Sequence, residues 1–248
     1  GMPNLERAEY TTLMSWLENG GIMNAPLPLT ESELKLVAEY ERLLNKSARK
    51  NQLTARYIYE HLFLSHLYFS DLEGESQTFF SLVRSATPPG QPVQRISTRR
   101  PYDDPKVDRV FYRLIPEQGT IVDKTHMPFA LNTERMSNWK NWFIDAPYVV
   151  DKLPSYQIDV AANPMTAFEA LPVSARFNFM LDNAQNTIMA FIKGPVCRGQ
   201  LALNVINDRF WVVFIDPNKS DLPEINEFYA SQKDNLKLPS ELESNTVP

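Results

Sequence analysis

Three histidines, His61, His66 and His126, and the single cysteine, Cys197, are the side chains best suited to acid–base, nucleophilic or metal chemistry. If one helix carries both His61 and His66, their five-residue spacing sets them roughly 140° apart around it. Two ligands of one metal stack better at i,i+4, so each reads first as a packed core histidine. His126 in KTHMPF lies in a loop-like context beside Lys124 and Thr125, equally open to a local loop bond and to a role in a site. Cys197 is followed by Arg198, a cation able to lower a thiol pKa. Against that, unpaired cysteine is among the most buried residue types and often only fills space. A triad of Cys197, His126 and an aspartate needs a convergence that sequence does not fix.

The segment STRRPYDDPKVDR gathers Arg99, Arg100, Asp103, Asp104, Asp108 and Arg109 around two prolines. Such density of opposite charge predicts a rigid, salt-bridged turn. The functional alternative makes Arg99 or Arg100 the holder of a substrate carboxylate through a bidentate guanidinium contact, with Tyr102 beside them.

The chain has 248 residues, 43% hydrophobic and 22% charged, the balance of an ordinary globular protein large enough to bury a core. A formal charge of −5 without long basic runs argues against a nucleic-acid partner. No stretch approaches the roughly 20 apolar residues of a spanning helix. One cysteine excludes an internal disulfide and a cysteine-rich zinc site. Gly1 before Met2 reads as the remnant of an expression tag, with no signal segment after it.

The elements that must position these residues follow from periodicity. Leu5, Leu13, Met14, Trp16 and Leu17 predict a short amphipathic helix ending at Asn19-Gly20-Gly21, then a proline-rich connector. Residues 1–28 are set apart on that ground, from a single α+β domain over 29–235 and a flexible tail over 236–248. Thr30 and Glu33 have capping-box spacing and open a helix to about Asn45, with Glu33, Lys35, Glu39, Glu41 and Arg42 expected in water. Leu53 to Phe69 is apolar or aromatic on nearly every face and predicts one buried central helix. Val107 to Ile115 predicts a strand closed by PEQG. Asn132 or Thr133 should cap a helix, and Ser174 a stronger one running to Gly194-Pro195. LALNVI and RFWVVFI pair as a hairpin across Asn207-Asp208, or the first of them is helical. Helices and strands segregated in this way give an α+β class, mainly helical with a small antiparallel sheet or hairpins.

Three of these stretches, LTARYIYEHLFLSHLYF, FFSLVRSATPPGQPVQRISTRRPYDDPKVDRVFYRL and GPVCRGQLALNVINDRFWVVFIDP, together resemble the fatty acid cis/trans isomerase family of Gram-negative bacteria. IVDKTHMPFAL and LPSYQIDVAANP fit the same pattern. The resemblance implies a periplasmic isomerase acting on cis-unsaturated fatty acids, with haem c attached through Cys-x-x-Cys-His in full-length members. Membrane stiffening under stress is its implied purpose. Rotation about an isolated double bond needs the π bond weakened, and a redox-active iron supplies what side chains alone do not.

This sequence has no such motif, so no covalently bound haem is expected on it. It reads as an excised portion or a divergent member, inactive without the haem-bearing segment as partner. His61, His66 and His126 then become candidates to face a lipid or haem pocket, and Arg99 and Arg100 to hold the acid. Cys197 and Arg198 border a pocket or the core. Peripheral contact at a membrane surface is left open, and the alternative is a non-catalytic lipid- or partner-binding module.

Overall fold

The computed structural model describes residues 5–22, 28–72, 74, 78–119, 121–122, 125–193, 227–228 and 230–232. Helix α1 spans Arg7–Glu18 and buries none of its residues, while Gly20 and Gly21 turn the chain at positive φ. Helix α2, Glu31–Leu44, begins with the expected capping box: the Glu33 amide donates to Thr30 Oγ1, and the Thr30 amide donates to Glu33 Oε2. Two orphan amides are thereby satisfied at once. Not all of its charges reach water, since Glu33 and Glu41 are buried. Glu41 accepts from Arg113 Nε at 3.0 Å through both oxygens and from the Leu114 amide at 2.9 Å, which ties α2 to the sheet.

The predicted central helix is two elements. Helix α3 covers Arg49–Leu62, and His66–Phe69 is strand β1. Its alternation of half-buried His66 and Tyr68 with buried Leu67 and Phe69 has the period of a strand. An all-apolar run bounded by a turn does not distinguish these outcomes by periodicity, and pairing on both sides decided in favour of the strand. Strands β2, Phe80–Ser85, β3, Phe111–Pro116, and β4, Pro128–Leu131, complete a sheet of order β3-β2-β1-β4. The β1–β2 and β2–β3 pairs are antiparallel, but β1 and β4 run parallel, so the small sheet is mixed rather than antiparallel.

Strand β3 starts later than its sequence suggests. Lys106 has φ 57°, and regular pairing begins only at Ser85↔Phe111. Asn45, just past α2, then clamps the edge of β3: its amide donates to the Tyr112 carbonyl at 2.8 Å and its oxygen accepts from the Tyr112 amide at 2.8 Å.

Asn132 caps helix α4, Thr133–Trp139, by accepting from the Arg135 amide at 2.8 Å. A widened π-helical turn, Lys140–Asp145, extends it and delivers Phe143 to the core. The proline-broken stretch that follows contains two single-turn helices, α5, Ile158–Ala161, and α6, Pro164–Ala167. Helix α7, Val173–Asp182, starts behind Pro172 with no side-chain cap, so Ser174 lies inside it instead of capping it. Asn183 interrupts the long helix expected here, and α8 resumes over Ala184–Lys193. The α+β class stands. Its core joins α2, α3, the sheet and α7 through Tyr40, Leu62, Phe80, Trp139, Phe143 and Phe179. The 201–215 hairpin and the 236–248 tail lie outside the described residues.

Candidate functional site

Helix α3 and helix α7 face one another across aromatic rings. Tyr57 packs against Phe143, Phe168 and Phe179 with ring centroids 5.6, 4.9 and 5.2 Å apart. One turn along α3, His61 stacks beside Tyr57 at 4.2 Å and meets Phe179 at 5.4 Å. His61 Nδ1 lies 2.7 Å from the Tyr57 carbonyl oxygen, which cannot donate, so Nδ1 carries the proton. Nε2 is left with the lone pair. Burial pushes the His61 pKa down, against a smaller upward pull from that hydrogen bond, and keeps the ring neutral near pH 7.

A cavity of about 250 Å³ opens beside this histidine. Tyr57, Met165, Val173, Phe177 and Met180 give it an apolar lining, with Arg176 as the cationic member. The sequence places these residues here because α3 and α7 bury their aromatic faces together, while Asn163 starts α6 by accepting from the Met165 amide at 3.0 Å. Unbranched methionines adapt to flexible apolar ligands. A neutral imidazole in an apolar cavity favours an uncharged guest over an ion.

His66 and His126 meet elsewhere. Their Nδ1 atoms are 3.3 Å apart, because β1 and β4 run in parallel and His66 sits opposite Pro128, two residues after His126. Phe79 packs edge-on against His126 at 4.8 Å. Partial burial and the neighbouring His126 lower the His66 pKa, with Glu117 pulling it up. The one helix expected to carry both His61 and His66 is thus replaced by two elements, and His66 pairs with His126 across two strands. Among the described residues no three His, Cys, Asp or Glu side chains gather as a metal site.

The arginine-rich segment folds mainly on itself. Arg84 reaches into it from β2, donating to the Asp103 carbonyl at 2.8 Å and to Thr98 Oγ1, and the Arg100 amide donates to Asp103 Oδ2 at 2.8 Å. Arg100 lies 5.9 Å from the Tyr102 ring, and Arg99 is exposed. None of Arg99, Arg100 and Tyr102 lines the His61 cavity. Cys197 and Arg198 lie outside the described residues.

Sequence reasoning passed over Arg176, Met165 and Met180, which looked like ordinary helix and connector residues. It also passed over Arg56, whose partner Glu60 is four residues on at 2.7 Å. An Arg-x-x-x-Glu pair within the buried stretch of this helix was the available signal.

The fold and the site together define an α+β protein with a largely apolar cavity that carries a neutral histidine and one arginine. A family model described as fatty acid cis/trans isomerase (CTI) matches residues 1–248, and the chain belongs to that family. No curated protein and no solved structure matches it significantly.

Proposed function

We propose that this chain is part of a periplasmic fatty acid cis/trans isomerase and that its His61 cavity receives a stretch of the acyl chain. The family match over residues 1–248 carries the reaction class. The apolar lining around a neutral His61 supports the acyl assignment. At about 250 Å³ the cavity is below the roughly 300–1,000 Å³ that encloses a whole drug-sized ligand, so it suits one segment of a long acid.

Cis-to-trans conversion leaves every hydrogen on its own carbon, and isolated alkene carbons offer an acid or base no easily moved proton, so no acid–base role is assigned to the cavity. Its work is to hold the chain, exclude water and fix the chain's orientation. Arg176 is the cationic residue in the cavity lining. Covalent haem c takes two cysteines and does not fit a chain with one, Cys197. The haem-bearing segment is therefore the partner this chain requires for turnover.

The test is gas chromatography of a cis-monounsaturated acid incubated with the purified, haem-free chain and, separately, with the natural protein including a haem-bearing segment. Trans product from the second alone agrees with the proposal. Conversion by the first, or by neither, contradicts it. If long-chain acids bind while neither sample converts them, the lipid-binding module becomes the better description.

A further inference from the structure

A second cavity, of about 70 Å³, lies between α3, the approach to β3 and the segment around Pro154. It shares no lining residue with the His61 cavity. Arg56 and Arg109 both line it, with Tyr112 and Tyr156 alongside. Arg56 is only 5% exposed. Its Nε donates to Glu60 Oε1 at 2.7 Å and its Nη1 to the Pro154 carbonyl at 3.2 Å, while the Tyr156 ring covers the guanidinium at 4.0 Å. Nη2 remains buried without a hydrogen-bond partner. Arg109 donates from Nη2 to the Asn45 carbonyl at 2.7 Å, and its Nε is likewise buried without a partner.

Two cationic N–H groups left unsatisfied on residues that line one small cavity are costly. A buried donor without an acceptor loses its hydration with nothing in return, and a charged one loses more. Glu60 offsets the charge of Arg56, and exposed Asp108 at the cavity opposes Arg109, so the attraction comes from directed donors more than from net charge. The volume is about that of two waters at roughly 30 Å³ each, and equally that of one carboxylate group. Gln52 also lines it, and Leu53, Val107, Val110 and Leu153 add apolar surface that favours an oxyanion carried on a short aliphatic stem.

We propose that this cavity binds a single carboxylate end group, accepted between Arg56 Nη2 and Arg109 Nε. Guanidinium donors and a planar carboxylate are matched in geometry and charge. The site is independent of the acyl cavity. Calorimetric titration of the full chain with sodium butyrate, at ionic strength held constant with chloride, tests it.

Saturable one-to-one binding is expected. It should weaken at least tenfold in Arg109→Gln, tighten severalfold in Asp108→Asn, and stay unchanged in Met180→Trp. Inorganic phosphate should bind more weakly than butyrate. The proposal is overturned by a butyrate response no different from that of chloride, by phosphate binding with butyrate silent, or by affinity that ignores both charge changes. A butyrate-soaked crystal with water alone between the two arginines overturns it as well. Should Arg109→Gln fail to fold, the Asp108→Asn titration decides, since Asp108 is exposed and its removal spares the core.

Discussion

Lengthening the ligand one carbon at a time probes the His61 cavity directly. Each methylene moved from water into an apolar site is worth about 0.8 kcal/mol, which is about fourfold in Kd at 25 °C. With a methylene taken as roughly the size of a water at ~30 Å³, a cavity of about 250 Å³ holds roughly eight of them. Affinity for a homologous series of saturated fatty acids should therefore rise about fourfold per added carbon and level off once the cavity is filled. Fluorescence competition against a bound reporter acid gives the series. Met180→Trp, which puts an indole into the cavity, should shorten the rising part by several carbons and leave the helical circular dichroism unchanged. A Kd that ignores chain length, or a plateau that Met180→Trp does not move, would refute the assignment of this cavity to acyl chains.

Glu41→Ala should destabilise the chain by about 3–5 kcal/mol in urea unfolding, since it strands Arg113 and the Leu114 amide; a loss under 1 kcal/mol contradicts the reading. Asn132→Ala should cost about 1 kcal/mol through the lost cap of α4, with full recovery in Asn132→Asp. His61 has a folded pKa below its unfolded value, so the unfolded chain binds more protons. Its contribution is intact above about pH 6.5 and declines as pH falls from there toward the folded pKa. Subtracting the stability–pH curve of His61→Phe from that of the unaltered chain should isolate this slope, and identical curves would remove the neutral-histidine argument.

What sequence revealed depended on whether the signal was local. The capping box of Thr30 and Glu33 and the cap at Asn132 are short-range hydrogen-bond patterns, and both formed where they were read. His66 illustrates the opposite case. Local periodicity extended the α3 helix through it, whereas pairing of β1 with β2 and β4, settled by residues 11 or more positions away, made it part of a strand. That same pairing brought His126 to His66, a contact no spacing rule gives. Glu41 looked like a solvated helix charge because its partner Arg113 lies 72 residues along the chain. Arg99 and Arg100 drew attention through charge density but do not line the His61 cavity, whereas Arg176, which was not singled out, does. The family was readable because its words run in order along most of the chain, which chemistry-bearing residues taken one at a time do not supply.

The most direct test of the proposed acyl cavity is the trans-to-cis ratio, by gas chromatography, of a monounsaturated acid incubated with the full natural protein carrying Met180→Trp. If the His61 cavity holds the acyl chain, that ratio should fall at least tenfold at unchanged protein level. A ratio equal to that of the unaltered protein would contradict the account.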